Sequence, residues 1–231
     1  GVRGYGEGEA SKAYLKPHVL FYKEHILGQD PTNVERVMMR IRRVGAFKPW
    51  GSAVSAIEMA LWDIAGKAAG LPVYKLLGGK VRDKVRVYNG AVRFPMRDSS
   101  PASYAEDVQR MKESPEGFSI VKAGIAFHSG MPQAVPDMFY GELQTSSFHP
   151  NKGLLTEKGM NHILACVEAM KGVLGDEVGL ALDCGPGMVV ADAIKLAKEV
   201  EPYNVMWLED MITGDYVPYV SADLYRAVTQ S

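Results

Sequence analysis

Val178-Gly179-Leu180-Ala181-Leu182-Asp183, answered further on by Val205-Met206-Trp207-Leu208-Glu209, is the part of this 231-residue chain that decides its fold. Each run is short, almost wholly apolar and closed by a carboxylate. Apolar runs of this length without polar alternation suit strands buried on both faces, as in a parallel sheet covered by helices. Ala191 to Val200 between them reads as a helix, and the 26 positions from Asp183 to Glu209 fit one strand-helix-strand crossover. In a parallel α/β barrel the strand ends open on one face, where catalytic groups collect. Two carboxylates brought there by successive strands offer rigid oxygen ligands to a hard divalent cation such as Mg²⁺. The plain alternative is that Asp183 caps the next helix and Glu209 is an ordinary strand-end charge. The two acids being in phase favours the metal reading.

Working outward, the same rhythm extends back to about residue 84. Val85-Arg86-Val87-Tyr88-Asn89 reads as a first strand, Ser100-Pro101 opens a helix carrying Tyr104, Val108 and Met111, and Phe118 to Ala123 is a second strand. An irregular stretch from Gly124 to Leu155 follows, with Phe127, Phe139, Tyr140 and Phe148 in it. Loops this long inside a compact fold are usually functional. Such aromatics suit a flap over a pocket or a subunit contact, and the chain is expected to form a homo-oligomer. Thr156 begins the next helix, whose buried stripe is Ile163, Leu164, Val167, Met170 and Leu174. Periodicity alone does not separate a barrel from an open doubly wound sheet.

The first part of the chain reads differently. The glycines at 4, 6 and 8 suggest strand and turn but no phosphate-binding loop, since no suitable strand precedes them and no helix opens there. Asp30-Pro31 reads as a helix start, with Val34, Val37, Met38 and Ile41 on one face. A second helix begins near Ser52, carries Ile57, Ala60, Leu61, Ile64 and Ala68 at helical spacing, and stops at Gly70 and Pro72.

Composition narrows the function classes. Hydrophobic residues make up 47% and charged residues 23%, with a formal net charge of −1, so nothing argues for a nucleic-acid or membrane partner. No apolar stretch approaches the roughly 20 residues that cross a bilayer. Cys166 and Cys184 show neither zinc spacing nor a disulfide framework, which suits a reducing, cytoplasmic location.

Three stretches resemble the enolase superfamily, in its mandelate racemase and muconate lactonizing branch. They are Gly51 to Lys67, Pro72-Val73-Tyr74-Lys75-Leu76-Leu77-Gly78-Gly79, and the strand ends at Asp183 and Glu209. The resemblance runs nearly the whole length. It implies an α/β fold: a modified (β/α) TIM-type barrel preceded by an α+β capping domain. Residues 1–80 would be a partial capping domain and residues 81–231 the first half of the barrel. It also implies Mg²⁺ held by three acids on consecutive strands. Asp183 and Glu209 match the first two, and the third would lie beyond Ser231. The chain is thus expected to be truncated at both ends. A half barrel exposes two sheet edges, so it is expected to need a second half in trans or to aggregate.

The implied chemistry is removal of a proton next to a carboxylate, giving an enolate whose fate defines the reaction. Racemase-like members carry Lys-x-Lys on the second strand. Here the string is Val121-Lys122-Ala123-Gly124, so Gly124 stands where the second lysine would be and faces the same way as Lys122. That favours dehydration of a sugar acid, a small-molecule carboxylate, over racemisation, epimerisation or cycloisomerisation. A non-catalytic barrel relative or a scaffold fragment is the rival of another class. Lys122 is a candidate to orient the substrate carboxylate or to act as base, against a lysine merely extending its stem over a strand end. His128 is a candidate general acid for a leaving hydroxyl, against a solvated loop side chain. Asn89 is a candidate hydrogen-bond partner for a polyol, against an Asn-Gly turn. Asp210 is expected on the opposite side of its strand from Glu209. Cys184 reads as a packed residue, not a nucleophile.

Overall fold

The structure, a computed structural model, describes residues 1–8, 13–44, 51–90, 94–142, 152–212 and 222–231. Phe148 lies outside them. Two compact units divide between Val85 and Arg86.

The first unit is helical among its described residues: α1 (Leu15–Phe21), α2 (Lys23–Ile26), α3 (Val34–Val44), α4 (Ser52–Ala69) and α5 (Val73–Leu76). Its core sets the expected α3 stripe, Val34, Val37, Met38 and Ile41, against Ala53, Val54, Ile57 and Leu61 of α4. Of the stripe expected on α4, Ile57 and Leu61 are buried, Ala60 and Ile64 are half-buried and Ala68 is exposed. An ion pair between Arg42 and Glu58, 2.9 Å apart, ties the two helices together. α4 ends as its sequence indicates: Gly70 takes a left-handed φ of 66°, and the Leu71 amide turns back to the Gly66 carbonyl. Two details differ from expectation. Asp30 does not open α3; it accepts bonds from the Thr32 amide and the Thr32 and Asn33 side chains, forming a turn that delays the helix to Val34. Residues 1–8 form no strand; they lie against α4, where a Cβ at Gly6 would come within 1.8 Å of the Ala56 carbonyl oxygen.

The second unit begins with α6 (Pro101–Lys112), capped by the Ser100 hydroxyl, and β1 (Ile120–Gly124). A 3₁₀ turn (Ala126–His128), α7 (Met131–Ala134), β2 (Phe139–Tyr140) and β3 (Leu154–Leu155) then break up the stretch expected to be irregular. α8 (Glu157–Leu174), β4 (Gly179–Asp183), α9 (Val190–Val200), β5 (Leu208–Glu209) and α10 (Ala222–Thr229) complete it. β1, β4 and β5 form one parallel sheet in that order, the layout of a partial (β/α) barrel, while β2 and β3 pair antiparallel.

Thr156 caps α8: its hydroxyl accepts from the Gly159 amide and donates to the Asp137 carbonyl. Ile163, Val167, Met170 and Leu174 of that helix are fully buried with Val121, Leu180 and Leu182 of the sheet. At about 1.5–3 kcal/mol per buried aliphatic side chain, this seam holds the strands in place. The strand expected at Val85–Asn89 shrinks to one bridge, Asn89 to Val121. Among the described residues, Asn89 alone of this run finds backbone partners, in Ile120 and Lys122, while Val85 and Val87 stand 70% and 62% exposed.

Candidate functional site

Parallel register fixes the site. Asp183 ends β4 opposite Gly124 of β1 and opposite Glu209 of β5. Both acids therefore leave the sheet at one level and on one end. Lys122 lies two residues before Gly124 on the same face of β1, and its long side chain reaches up to the acids. Its ammonium sits between the two carboxylates, 2.7 Å from Glu209 Oε1 and 3.1 Å from Asp183 Oδ2. The outer oxygens are held separately. Asp183 Oδ1 faces His128 Nδ1 at 3.0 Å and accepts from the Gly185 amide at 3.3 Å. Glu209 Oε2 accepts from the Trp207 indole N–H at 3.1 Å.

The close approach of His128 depends on Gly185. That residue has a left-handed φ of 66°, and a Cβ there would come within 2.7 Å of the His128 amide nitrogen. The His128 amide also donates to the Cys184 carbonyl, so the turn after β1 is stitched to the turn after β4. Because a carboxylate oxygen only accepts, His128 Nδ1 carries a proton, which leaves Nε2 as the ring atom able to exchange one with a ligand.

Charge is strongly coupled here. Burial acts to lower the Lys122 pKa, but the bonds to Glu209 and Asp183 and their negative charge outweigh it and raise it above the usual amine value. Burial likewise acts to raise Glu209, yet the bonds from Lys122 and Trp207 prevail and hold its carboxyl below the usual range. A base role for Lys122 requires neighbours that lower its pKa; in this arrangement it is a proton-bearing ammonium. Burial, with the charges of Asp183, Glu209 and Asp210 added, pushes the Cys184 thiol up, which removes it as a nucleophile.

Asp210 departs from expectation. Its φ of 54° breaks the strand alternation, and its carboxylate joins those of Asp183 and Glu209, with one oxygen of each within 4.8 Å of the others. This all-oxygen donor set fits a hard divalent cation, and Lys122 Nζ shows that a positive charge fits between Asp183 and Glu209. Asn89 is 2% exposed, and its carbonyl accepts from the Lys122 amide, so its visible part is to anchor the strand beneath the lysine. A cavity of about 110 Å³ opens beside Lys122 and His128, walled by Phe94, Met96, Asp107 and Ser129. Sequence reasoning missed Trp207, although its spacing of two from Glu209 in the apolar run Val205 to Glu209 was a readable signal.

Two family models match the chain: the N-terminal domain of mandelate racemase and muconate lactonizing enzymes over residues 1–78, and the enolase C-terminal domain-like model over residues 104–228. The chain therefore belongs to the enolase superfamily, in its mandelate racemase and muconate lactonizing branch. Among curated relatives it is 31% identical to the D-galactonate dehydratase family member RspA of Halomonas elongata, over 91% of this chain and 53% of that protein. It is 32% identical to the D-xylonate dehydratase of Haloferax volcanii, over 90% of this chain and 46% of that one. Among solved structures, the mandelate racemase/muconate lactonizing enzyme-like protein of Rubrobacter xylanophilus matches with a TM-score of 0.75 at 28% identity, covering 99% of this chain and 57% of its own. The chain thus spans about half the length of the curated relatives it matches. Among the described residues, no helix is long and apolar enough to cross a membrane.

Proposed function

We propose that this chain supplies the cation-holding and proton-donating side of a site that dehydrates a sugar acid. The observation that carries the reading is the register Asp183 opposite Glu209, with a positive charge already seated between them. The dehydratase names of the relatives support the reaction class.

Asp183 and Glu209 would hold Mg²⁺, with Asp210 beside them. When bound, the cation supplies positive charge next to the substrate carboxylate, where the charge of the enolate grows. Lys122 pairs with that carboxylate through its ammonium and orients the α-carbon. Gly124, level with Asp183, carries no side chain, so no base stands there; removal of the α-proton therefore requires a base on the opposite face. His128, held to Asp183 through Nδ1–H, acts as the doubly protonated imidazolium: Nε2 gives its proton to the β-hydroxyl, and the ring is left neutral with its remaining proton on Nδ1. The C–O bond breaks, water leaves, and the enol product becomes a 2-keto-3-deoxy acid. Racemisation would need a second base on this face, where Gly124 stands.

The protein incubated with Mg²⁺ and a panel of sugar acids tests this, with 2-keto acids trapped by semicarbazide. A trapped 2-keto-3-deoxy product is expected. Exchange of the α-proton in D₂O without loss of water would point instead to a racemase, and neither change to a non-catalytic relative.

A further inference from the structure

We propose that Trp207 is a positioning residue for Glu209, aiming the carboxylate at the cation site. The inference rests on the reading that Asp183 and Glu209 hold a divalent cation. The two acids start from unequal positions. Asp183 has a short side chain, is 3% exposed and ends a strand of five residues. Glu209 has one more rotatable bond, keeps 31% of its side chain exposed and ends a strand of only two residues. Backbone alone does not fix where its carboxylate points.

Side-chain bonds do. The Lys122 ammonium donates to Oε1 and the Trp207 indole to Oε2. The two donors differ in kind. Lys122 carries the charge that an incoming cation replaces, so it cannot go on holding Oε1 in the same way once the cation is bound. The indole N–H is neutral and lies on the oxygen that Lys122 does not take, so a cation in the place of the lysine leaves it where it is. It continues to orient Glu209 after loading, as hydrogen-bonding partners of metal-bound carboxylates do.

Trp207 is itself held. Its ring meets the Tyr88 ring edge-on, with centroids 5.0 Å apart and an interplanar angle of 77°. Its carbonyl accepts from the Leu182 amide of β4. Tyr88 adjoins Asn89, whose backbone is bonded to β1. The line Asn89, Tyr88, Trp207, Glu209 thus runs from the far side of the sheet to the site, and it gives the exposed Tyr88 a purpose.

Titration with MnCl₂, followed by the EPR signal of the free ion, tests this on wild-type protein, Trp207→Phe and Glu209→Gln. Trp207→Phe keeps an aromatic ring but lacks the donor. It is expected to bind about 10- to 100-fold more weakly than wild type. Unchanged affinity in Trp207→Phe beside loss in Glu209→Gln would overturn the positioning role and leave the cation reading standing. Absence of binding in wild type would instead overturn the cation reading, and the proposal with it. If Trp207→Phe fails to fold, the indole N–H resonance of ¹⁵N-labelled protein decides. It is expected to move in Glu209→Gln and on adding Mg²⁺ to wild type; a resonance indifferent to both overturns the proposal.

Discussion

The interior of the sheet and its β5 side solve the same problem by different means. Between β1 and β4 the register runs over five residue pairs, from Ile120 opposite Gly179 to Gly124 opposite Asp183. Between β4 and β5 it covers two, Leu182 opposite Leu208 and Asp183 opposite Glu209. Asp183 is therefore delivered by backbone and burial, whereas Glu209 depends on what its own oxygens touch. A bidentate site can be built from one rigid acid and one steered acid, provided the steering groups survive loading.

The contrast can be broken most strongly in the core. Leu182 is fully buried between both neighbouring strands, and Leu182→Ala is expected to cost about 2–5 kcal/mol of stability in urea unfolding. Leu208, only half buried, should lose less than about 2 kcal/mol as Leu208→Ala. Equal losses would mean that β5 is as firmly embedded as β4.

Next comes the charge at the centre. Lys122→Met leaves two carboxylates facing each other without a counter-charge. Breaking a buried pair costs about 3–5 kcal/mol, and the partial exposure of Glu209 brings the expected loss nearer 2–3 kcal/mol. Because the lysine competes for the place of the cation, the variant should also bind Mn²⁺ more tightly than wild type and regain stability when it does. Calorimetry with and without the ion checks both, and a variant that binds more weakly would show that Lys122 does not occupy that place.

Smaller still is the pH dependence of the metal-free protein. Glu209 has a folded pKa below its ordinary 4.5, so its contribution is present above that value and lost as pH falls through the folded pKa. Lys122 has a folded pKa above its ordinary 10.5, so its contribution is present below that value and lost as pH rises through the folded pKa. The melting temperature should be flat across the middle of the range and fall at both ends. Lys122→Met should shallow both falls, and an unchanged alkaline limb would remove Lys122 from the account.

What the sequence made legible follows the same division. The Asp183 and Glu209 pairing could be read because continuous apolar runs mark buried parallel strands and the acids end them in phase. The α8 stripe and its Thr156 cap were equally plain. Three features needed the third dimension. Asp210 joins the acids because a left-handed φ cancels the alternation that a strand implies. The contact of His128 with Asp183 joins distant turns through the space left by Gly185. Val85 to Tyr88 has strand composition but lacks backbone partners in the sheet, and only Asn89 reaches β1. Local pattern reports what a segment can pair with, not whether the partner is there.

The most direct measurement is Mn²⁺ binding to wild-type protein beside Asp183→Asn and Glu209→Gln, each checked for folding by its melting curve. One site per chain is expected in wild type, weakened at least about tenfold by either substitution alone, since each removes a charged ligand on its own strand. Wild-type binding that both folded variants retain in full would contradict the account.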